Sequence, residues 1–168
     1  MAMKDEPKRL IRLASLKDAE RLAQVEAACF PPAEAAPLSQ FQERLRHYPD
    51  HFWLMEEEGR LISFVDGMVT DQRNLTDEMF ENASMHDENG AWQMIFGVNT
   101  LPEYRRQGCA GTLIKAAVRD ARAQGRRGLV LTCKERLIPW YASFGFQLEG
   151  PSASVHGGAV WYQMRLTF

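Results

Sequence analysis

Apolar residues recur at three- and four-residue spacing through Ala110, Leu113, Ile114, Ala117, Val118 and Ala121, which gathers them on one face of a helix. Gly125 closes that helix as a C-terminal glycine. The apolar run Leu129–Val130–Leu131–Thr132 predicts a buried strand just beyond it. Before the helix, Trp92 to Thr100 reads as one longer strand, with the large side chains of Trp92, Met94, Phe96 and Val98 at alternate positions. Strand, helix and strand from Trp92 to Thr132 together predict a right-handed parallel crossover.

The flanking pattern is more broken. Leu10 to Leu13 is a short strand. Ser15, with Asp18 three residues on, caps a helix from Leu16 to Phe30, and Pro31 and Pro32 end it because proline disfavours helical geometry in the residue before it. Ser39 and Gln42 form a second capping box for a helix reaching about Tyr48. His51 to Glu56 and Leu61 to Val65 read as a hairpin turning at Glu58–Gly59. Thr70 to Asn89 is polar and irregular, with one helical turn after Thr76; so long a loop is usually functional or mobile. Ile138 to Phe144 is a short helix broken by Gly145, followed by strands at Phe146–Gly150 and Val160–Leu166. Seven strands and four helices in this order predict a mixed α/β layer fold.

The chain has 168 residues, 45% hydrophobic and 25% charged, and these values suit one folded domain spanning residues 1–168. Its net charge of −2 comes from interspersed acids and bases. That balance argues against a nucleic-acid partner, which needs a concentrated cationic face. Cys29, Cys109 and Cys133 lack zinc or disulfide spacing, and His47, His51, His86 and His156 lack a metal-binding arrangement, so no metal is expected. Met1 to Arg9 is polar, without a signal peptide, and no apolar run is long enough to span a membrane. The expectation is a cytoplasmic protein, monomeric or homodimeric, with no membrane partner.

The chemistry centres on Arg105–Arg106–Gln107–Gly108–Cys109–Ala110–Gly111, between a strand and the most regular helix. Small residues let a ligand approach the backbone, and a helix N-terminus offers free N–H groups to an anion such as a diphosphate. The loop has neither Walker nor GxGxxG spacing. By itself it is equally a strand-to-helix turn with no ligand.

Arg105-x-x-Gly108-x-Ala110, led in by Pro102–Glu103–Tyr104, resembles the coenzyme A loop of the GNAT superfamily of N-acetyltransferases. Further matches resemble its arylalkylamine N-acetyltransferase branch. They are Cys29–Phe30–Pro31, Pro37–Leu38, Glu58–Gly59–Arg60–Leu61, the run Leu131 to Tyr141, Phe144–Gly145–Phe146 and Gly150–Pro151–Ser152. The resemblance implies a central twisted mixed sheet of about seven strands flanked by about four helices, with acetyl-coenzyme A as cosubstrate. The strand Phe96–Thr100 would splay from Leu129–Cys133, with pantetheine between them. Backbone at Val98, Asn99 and Thr100 would meet the thioester and pantetheine, with an amide near Val98 polarising the carbonyl. Backbone N–H groups of Arg106, Gln107, Gly108, Cys109, Ala110 and Gly111 would hold the diphosphate, with Arg105 and Thr112 beside them in the cofactor site.

Tyr141 matches the family's proton donor to the departing thiolate, and a phenol with pKa ~10 is protonated at neutral pH. Met94 and Phe96 stand where vertebrate members place two histidines that help deprotonate the amine. His156 and Glu26 are the remaining candidates to accept that proton, unless waters relay it. Phe30, Pro37 and Trp161 match positions lining the amine pocket; for Trp161, on the last strand, packing in the core is an equal alternative. The implied activity is acetyl transfer to a small primary amine, an arylalkylamine first and a polyamine or other small amine second. A non-catalytic acyl-coenzyme A-binding module is the competing class, and a nucleotide-binding protein ranks last, having no phosphate lysine.

Overall fold

The computed structural model describes residues 8–168; Met1–Pro7, part of the polar start read above, lies outside the described residues. The chain begins with β1 (Arg9–Leu13), α1 (Ala19–Cys29) and α2 (Leu38–His47). The strands β2 (Phe52–Glu57), β3 (Arg60–Asp66) and β4 (Val69–Thr70) follow. Next come α3 (Asp77–Glu81), β5 (Trp92–Ile95), β6 (Gly97–Thr100) and α4 (Cys109–Ala123). The chain closes with β7 (Gly128–Cys133), α5 (Ile138–Ala142), β8 (Gln147–Pro151) and β9 (Tyr162–Thr167).

Among the described residues nine strands form two hydrogen-bonded sheets, in the orders β1-β2-β3-β6 and β4-β5-β7-β9-β8, where a central sheet of about seven strands was expected. The mixed α/β class stands. β5 and β7 run parallel with α4 between them, as the crossover requires, while every other pairing is antiparallel. Alternation along the strands sorts the core into two layers. Phe52, Leu54, Phe64, Met94 and Val130 pack with α1 and α2, whereas Trp53, Met55, Ile62, Val65, Leu129 and Leu131 pack with α4 and α5. Sheets covered on both faces need apolar residues at successive positions, which explains the unbroken run in β7.

Three local readings change. The expected single strand Trp92–Thr100 breaks at Phe96, whose N–H donates to the Asp66 carbonyl at 2.7 Å; β5 stays with β7 and β6 crosses to β3. Ser39 is no cap: α2 begins at Leu38 behind an extended Pro37, whose carbonyl accepts the N–H of Gln40 at 3.0 Å. Ser15 does start its helix, through one 3-10 turn before α1, with its N–H donating to Asp18 Oδ2 at 2.8 Å.

The polar segment after β4 is anchored rather than irregular. Leu75, Met79 and Ala83 enter the core, and Glu88 lies 2.8 Å from Nε2 of both His51 and His86. These three residues bring possible metal-ligand atoms within 4.8 Å of one another, a grouping the sequence spacing hides. His86 Nδ1, however, accepts the Val69 N–H at 3.0 Å. Its Nε2 therefore carries the proton and donates to Glu88, whereas a metal-bound imidazole uses its second nitrogen as a donor. The group fits a hydrogen-bonded clamp better than a metal centre. Among the described residues no helix is long and apolar enough to cross a membrane.

Candidate active site

Pairing between β5 and β7 ends at Ile95–Leu131. Beyond it β6 bonds only to β3, and Thr132 and Cys133 pair only with β9, so the two sheets part. A cavity of about 260 Å³ opens at this point, lined by Val98, Leu131, Thr132, Cys133 and Tyr141 on one side and by Glu26, Phe30, Phe96, His156 and Trp161 on the other. All three candidate catalytic residues thus face one space.

The β6 edge presents backbone to the opening. Leu101 N–H donates to the Ile62 carbonyl at 2.9 Å, and alternation in an antiparallel ladder then turns the Val98 and Thr100 amides away from β3. The Thr100 carbonyl points the same way and accepts from Arg105 Nε at 3.2 Å. Asn99 faces the opposite side: it is 1% exposed and lies beside Asp66 and Glu26, so its side chain is not part of a cofactor surface.

The glycine loop leads into α4 with Arg106 at φ 62° and Gly108 at φ 79°. Such left-handed turns set successive N–H groups into an anion-binding concavity. The first amides of α4, from Cys109 to Gly111, have no partner within the helix. Arg105, Arg106, Gln107, Gly108 and Thr112 are exposed. Gln107 is held by Arg9, and Thr112 Oγ1 donates to the Gly108 carbonyl at 2.9 Å. The Cys109 side chain is buried, 3% exposed, which leaves only its amide for a ligand.

Tyr141 is 6% exposed and packs edge-on against Trp140 and Phe146. Burial, with Cys133 nearby, raises its pKa, so the phenol stays protonated. The Cys133 thiol is pushed up to about 11 by burial, which removes the thiolate that an acyl-cysteine route needs.

On the amine side Phe80 lies 4.6 Å from Phe96 and 5.2 Å from His156, ring centre to ring centre. Trp161 precedes β9 rather than lying on it, and its Nε1 donates to the His156 carbonyl at 2.8 Å. His156 Nε2 is 2.9 Å from the Glu34 carbonyl; a carbonyl only accepts, so Nε2 carries the proton and Nδ1 is left as the acceptor. Two expected pocket residues fall outside the lining. Met94 is fully buried in the core beside α1 and α2, because alternation sends it to the face opposite Ile95. Pro37 is exposed at the start of α2, and Ala36 takes its place in the wall.

At the cavity floor Glu26 is 5% exposed, and its Oε2 accepts the Ala36 N–H at 2.7 Å. Burial first, then the charge of Asp66, raises its pKa to about 7, against the opposing pull of Arg44, the Ala36 amide and the Asn99 side chain. Arg44 Nη1 donates to Asp66 Oδ2 at 3.1 Å, and Nη2 to the Phe80 carbonyl at 3.0 Å. Phe80, Arg44 and Asp66 escaped the sequence reading.

The sequence pattern of the Acetyltransferase (GNAT) family matches residues 19–146. Serotonin N-acetyltransferase of Mesocricetus auratus is 27% identical over 160 residues, covering 92% of this chain and 75% of that one. Two solved structures share the fold. The loading GNATL domain of CurA from Lyngbya majuscula has a TM-score of 0.82 at 15% identity, covering 95% of this chain and 98% of that one. A GNAT family acetyltransferase from Brucella melitensis in complex with acetyl-CoA has a TM-score of 0.62 at 19% identity, covering 97% and 90%.

Proposed function

Because the chain belongs to the GNAT acetyltransferase family, we propose that it is a single-domain enzyme that moves the acetyl group of acetyl-coenzyme A directly onto the primary amine of a small aromatic molecule. One observation carries the reading. A carboxyl group with pKa about 7 and a protonated phenol open from opposite sides into one cavity walled by Phe30, Phe80, Phe96 and Trp161.

In this reading Glu26 takes a proton from the bound ammonium, and the freed amine attacks the thioester carbonyl. The Val98 amide donates to the oxygen as it gains charge. When the tetrahedral adduct collapses, the carbon–sulfur bond breaks and the thiolate takes the Tyr141 proton. Glu26 is assigned the base role because it is buried against the cavity with a pKa raised to about 7, and a base works best with a pKa near the working pH. His156 is tied to Glu34 and stacked on Phe80, which suits it to shape the wall.

Coenzyme A release, measured with acetyl-coenzyme A and a panel of amines, tests the reading. Arylalkylamines are expected to turn over best. Preference for polyamines would move the substrate class, and cofactor binding without turnover across the panel would leave an acyl-coenzyme A-binding module. Phe30→Ala and Trp161→Ala are expected to raise KM for arylalkylamines by about tenfold, the worth of one lost aromatic contact of roughly 1.4 kcal/mol, and to change KM for short aliphatic amines less. Equal effects on both classes would assign these side chains to packing alone.

The diphosphate is assigned to the glycine loop. A Cβ on Gly108 would meet no protein atom within 4 Å, so the protein leaves room there for a phosphate to approach the backbone. Gly108→Val also strains a left-handed position. Acetyl-coenzyme A affinity in calorimetry is expected to fall by tenfold or more, at roughly 1.4 kcal/mol per decade, with the fold intact by circular dichroism. Unchanged affinity would remove the loop from the cofactor site.

A further inference from the structure

At the cavity floor lies a buried polar group of which the acetyl-transfer steps above use only Glu26. Glu26 comes from α1, Arg44 from α2, Asp66 from β3 and Asn99 from β6, with exposures of 5%, 2%, 0% and 1%. They converge on Gly97: a Cβ there would stand 2.9 Å from Asn99 Nδ2, 2.9 Å from Asp66 Oδ1 and 3.2 Å from Glu26 Oε1. Only a residue without a side chain leaves room for the two carboxyl groups and the amide to crowd together. Asp66 Oδ1 and Arg44 Nε have no hydrogen-bond partner among the described residues, while the Asn99 side chain bears on Glu26 and favours its ionised form. Unpaired buried polar atoms are costly and uncommon, so this crowded cluster carries polar groups that packing alone would not retain.

The charges do not cancel. Two carboxyl groups face one guanidinium, which also lies 5.1 Å from the centre of the Phe96 ring in the cavity wall. Arg44 is the cation that acts on both carboxyls; Lys134 and Arg136 line the same cavity, with Lys134 paired to Glu34, and Arg105 lies against Cys29. Tyr48 is a neutral phenol beside Arg44 and Asp66, with its pKa raised by burial. Cys29 is a thiol near Glu26, its own pKa raised chiefly by burial. Backbone supplies the Ala36 and Gly97 amides and the Phe80 carbonyl. Keeping both carboxyls ionised would bury an uncompensated negative charge, and a buried pair of this kind retains a proton instead.

Taking Glu26 as the amine's base, as proposed above, we propose that Asp66 is its positioning residue: held by Arg44 against Gly97, the Asp66 carboxylate sets how firmly Glu26 keeps the proton it takes from the amine. Asp66 touches no substrate. Burial raises the Asp66 pKa as well, against the pull of Arg44 and the Gly97 amide, so the pair shares a proton, and the negative charge kept on Asp66 makes ionised Glu26 less favourable and therefore more basic. Arg44 holds that charge in place and limits the effect. The cluster thereby tunes the site toward cationic amines that must lose a proton before they react.

Two variants are expected to shift the acid limb of kcat/KM in opposite directions. Asp66→Asn removes the repelling charge and leaves Arg44 to stabilise ionised Glu26, so the limb moves down by one pH unit or more. Arg44→Met removes the attracting charge, so the limb moves up. General loss of packing lowers rates without producing opposite shifts. The wild-type protein gives a test that does not depend on either variant folding: in carbon-13 NMR, the Asp66 carboxyl is expected to respond at the midpoint of the Glu26 titration, as coupled groups do. An Asp66 signal blind to that midpoint, or an acid limb unmoved in folded Asp66→Asn, overturns the proposal. If Glu26→Gln keeps wild-type rates and pH dependence, the base assignment itself fails; if Glu26→Gln loses the limb while Asp66→Asn retains it, only the role of Asp66 fails.

Discussion

Tyr141→Phe is expected to slow acetyl transfer by ~10²-fold or more, the usual contribution of a positioned general acid, while acetyl-coenzyme A affinity changes little. The substitution deletes one hydroxyl and keeps a ring packed between Trp140 and Phe146, so the wall of the cavity survives. Burial holds the phenol protonated, which gives the departing thiolate a donor at any working pH. Without it the thiolate must take a proton from water, and the basic limb of the rate profile changes as well. Single-turnover kinetics is the measurement to use, because slow product release would mask a change in the chemical step. A wild-type single-turnover rate in Tyr141→Phe would leave the phenol as packing alone.

The parts of this fold that depend on local pattern were legible in the sequence. The 3.6-residue period from Ala110 to Ala121 gave α4, and the apolar run before Thr132 gave β7, since each is a property of neighbouring residues. The break at Phe96 was not legible. Trp92, Met94, Phe96 and Val98 keep alternating across it, but what splits the strand is a change of partner from β7 to β3. The same break explains why Phe96 reaches the cavity while Met94 stays in the core. The start of α2 was misplaced because Ser39–Gln42 has capping-box spacing, while the backbone enters the helix through the extended Pro37.

The site divides in the same way. Tyr141, Glu26, His156, Phe30 and Trp161 were all named from sequence, and the fold brings all five to one cavity. Phe80 was hidden in a segment whose polarity suggested a free loop. Arg44 and Asp66 lie 22 residues apart, and each is an ordinary charged residue until α2 and β3 bury them together. His51 and Glu88 are separated further still. No local spacing signals such pairs, because tertiary packing alone creates them.

Glu26→Gln tests the half of the chemistry that follows most directly from that packing. The Gln carbonyl still accepts the Ala36 N–H, so the wall is kept while the base is lost. A free arylalkylamine with pKa ~10 is present only as a small fraction at neutral pH. The variant therefore waits for that fraction, and kcat/KM is expected to fall by ~10²-fold or more at pH 7, within the range for general-base loss. The wild-type profile turns down below about pH 7, where Glu26 becomes protonated. The variant loses that limb and instead gains about tenfold per pH unit until the amine itself titrates, so the two enzymes converge at high pH. Stability should move the other way. A carboxyl whose folded pKa is raised contributes stability that is complete below its unfolded pKa and is lost as pH rises through about 7. Glu26→Gln has no charge to bury, so it is expected to melt above wild type at pH 8, with the difference closing below pH 5. A variant that is slower, more stable in alkali and rescued by pH would identify Glu26 as a base held at a cost to the fold. One that is slower and less stable at every pH would make it a structural carboxylate.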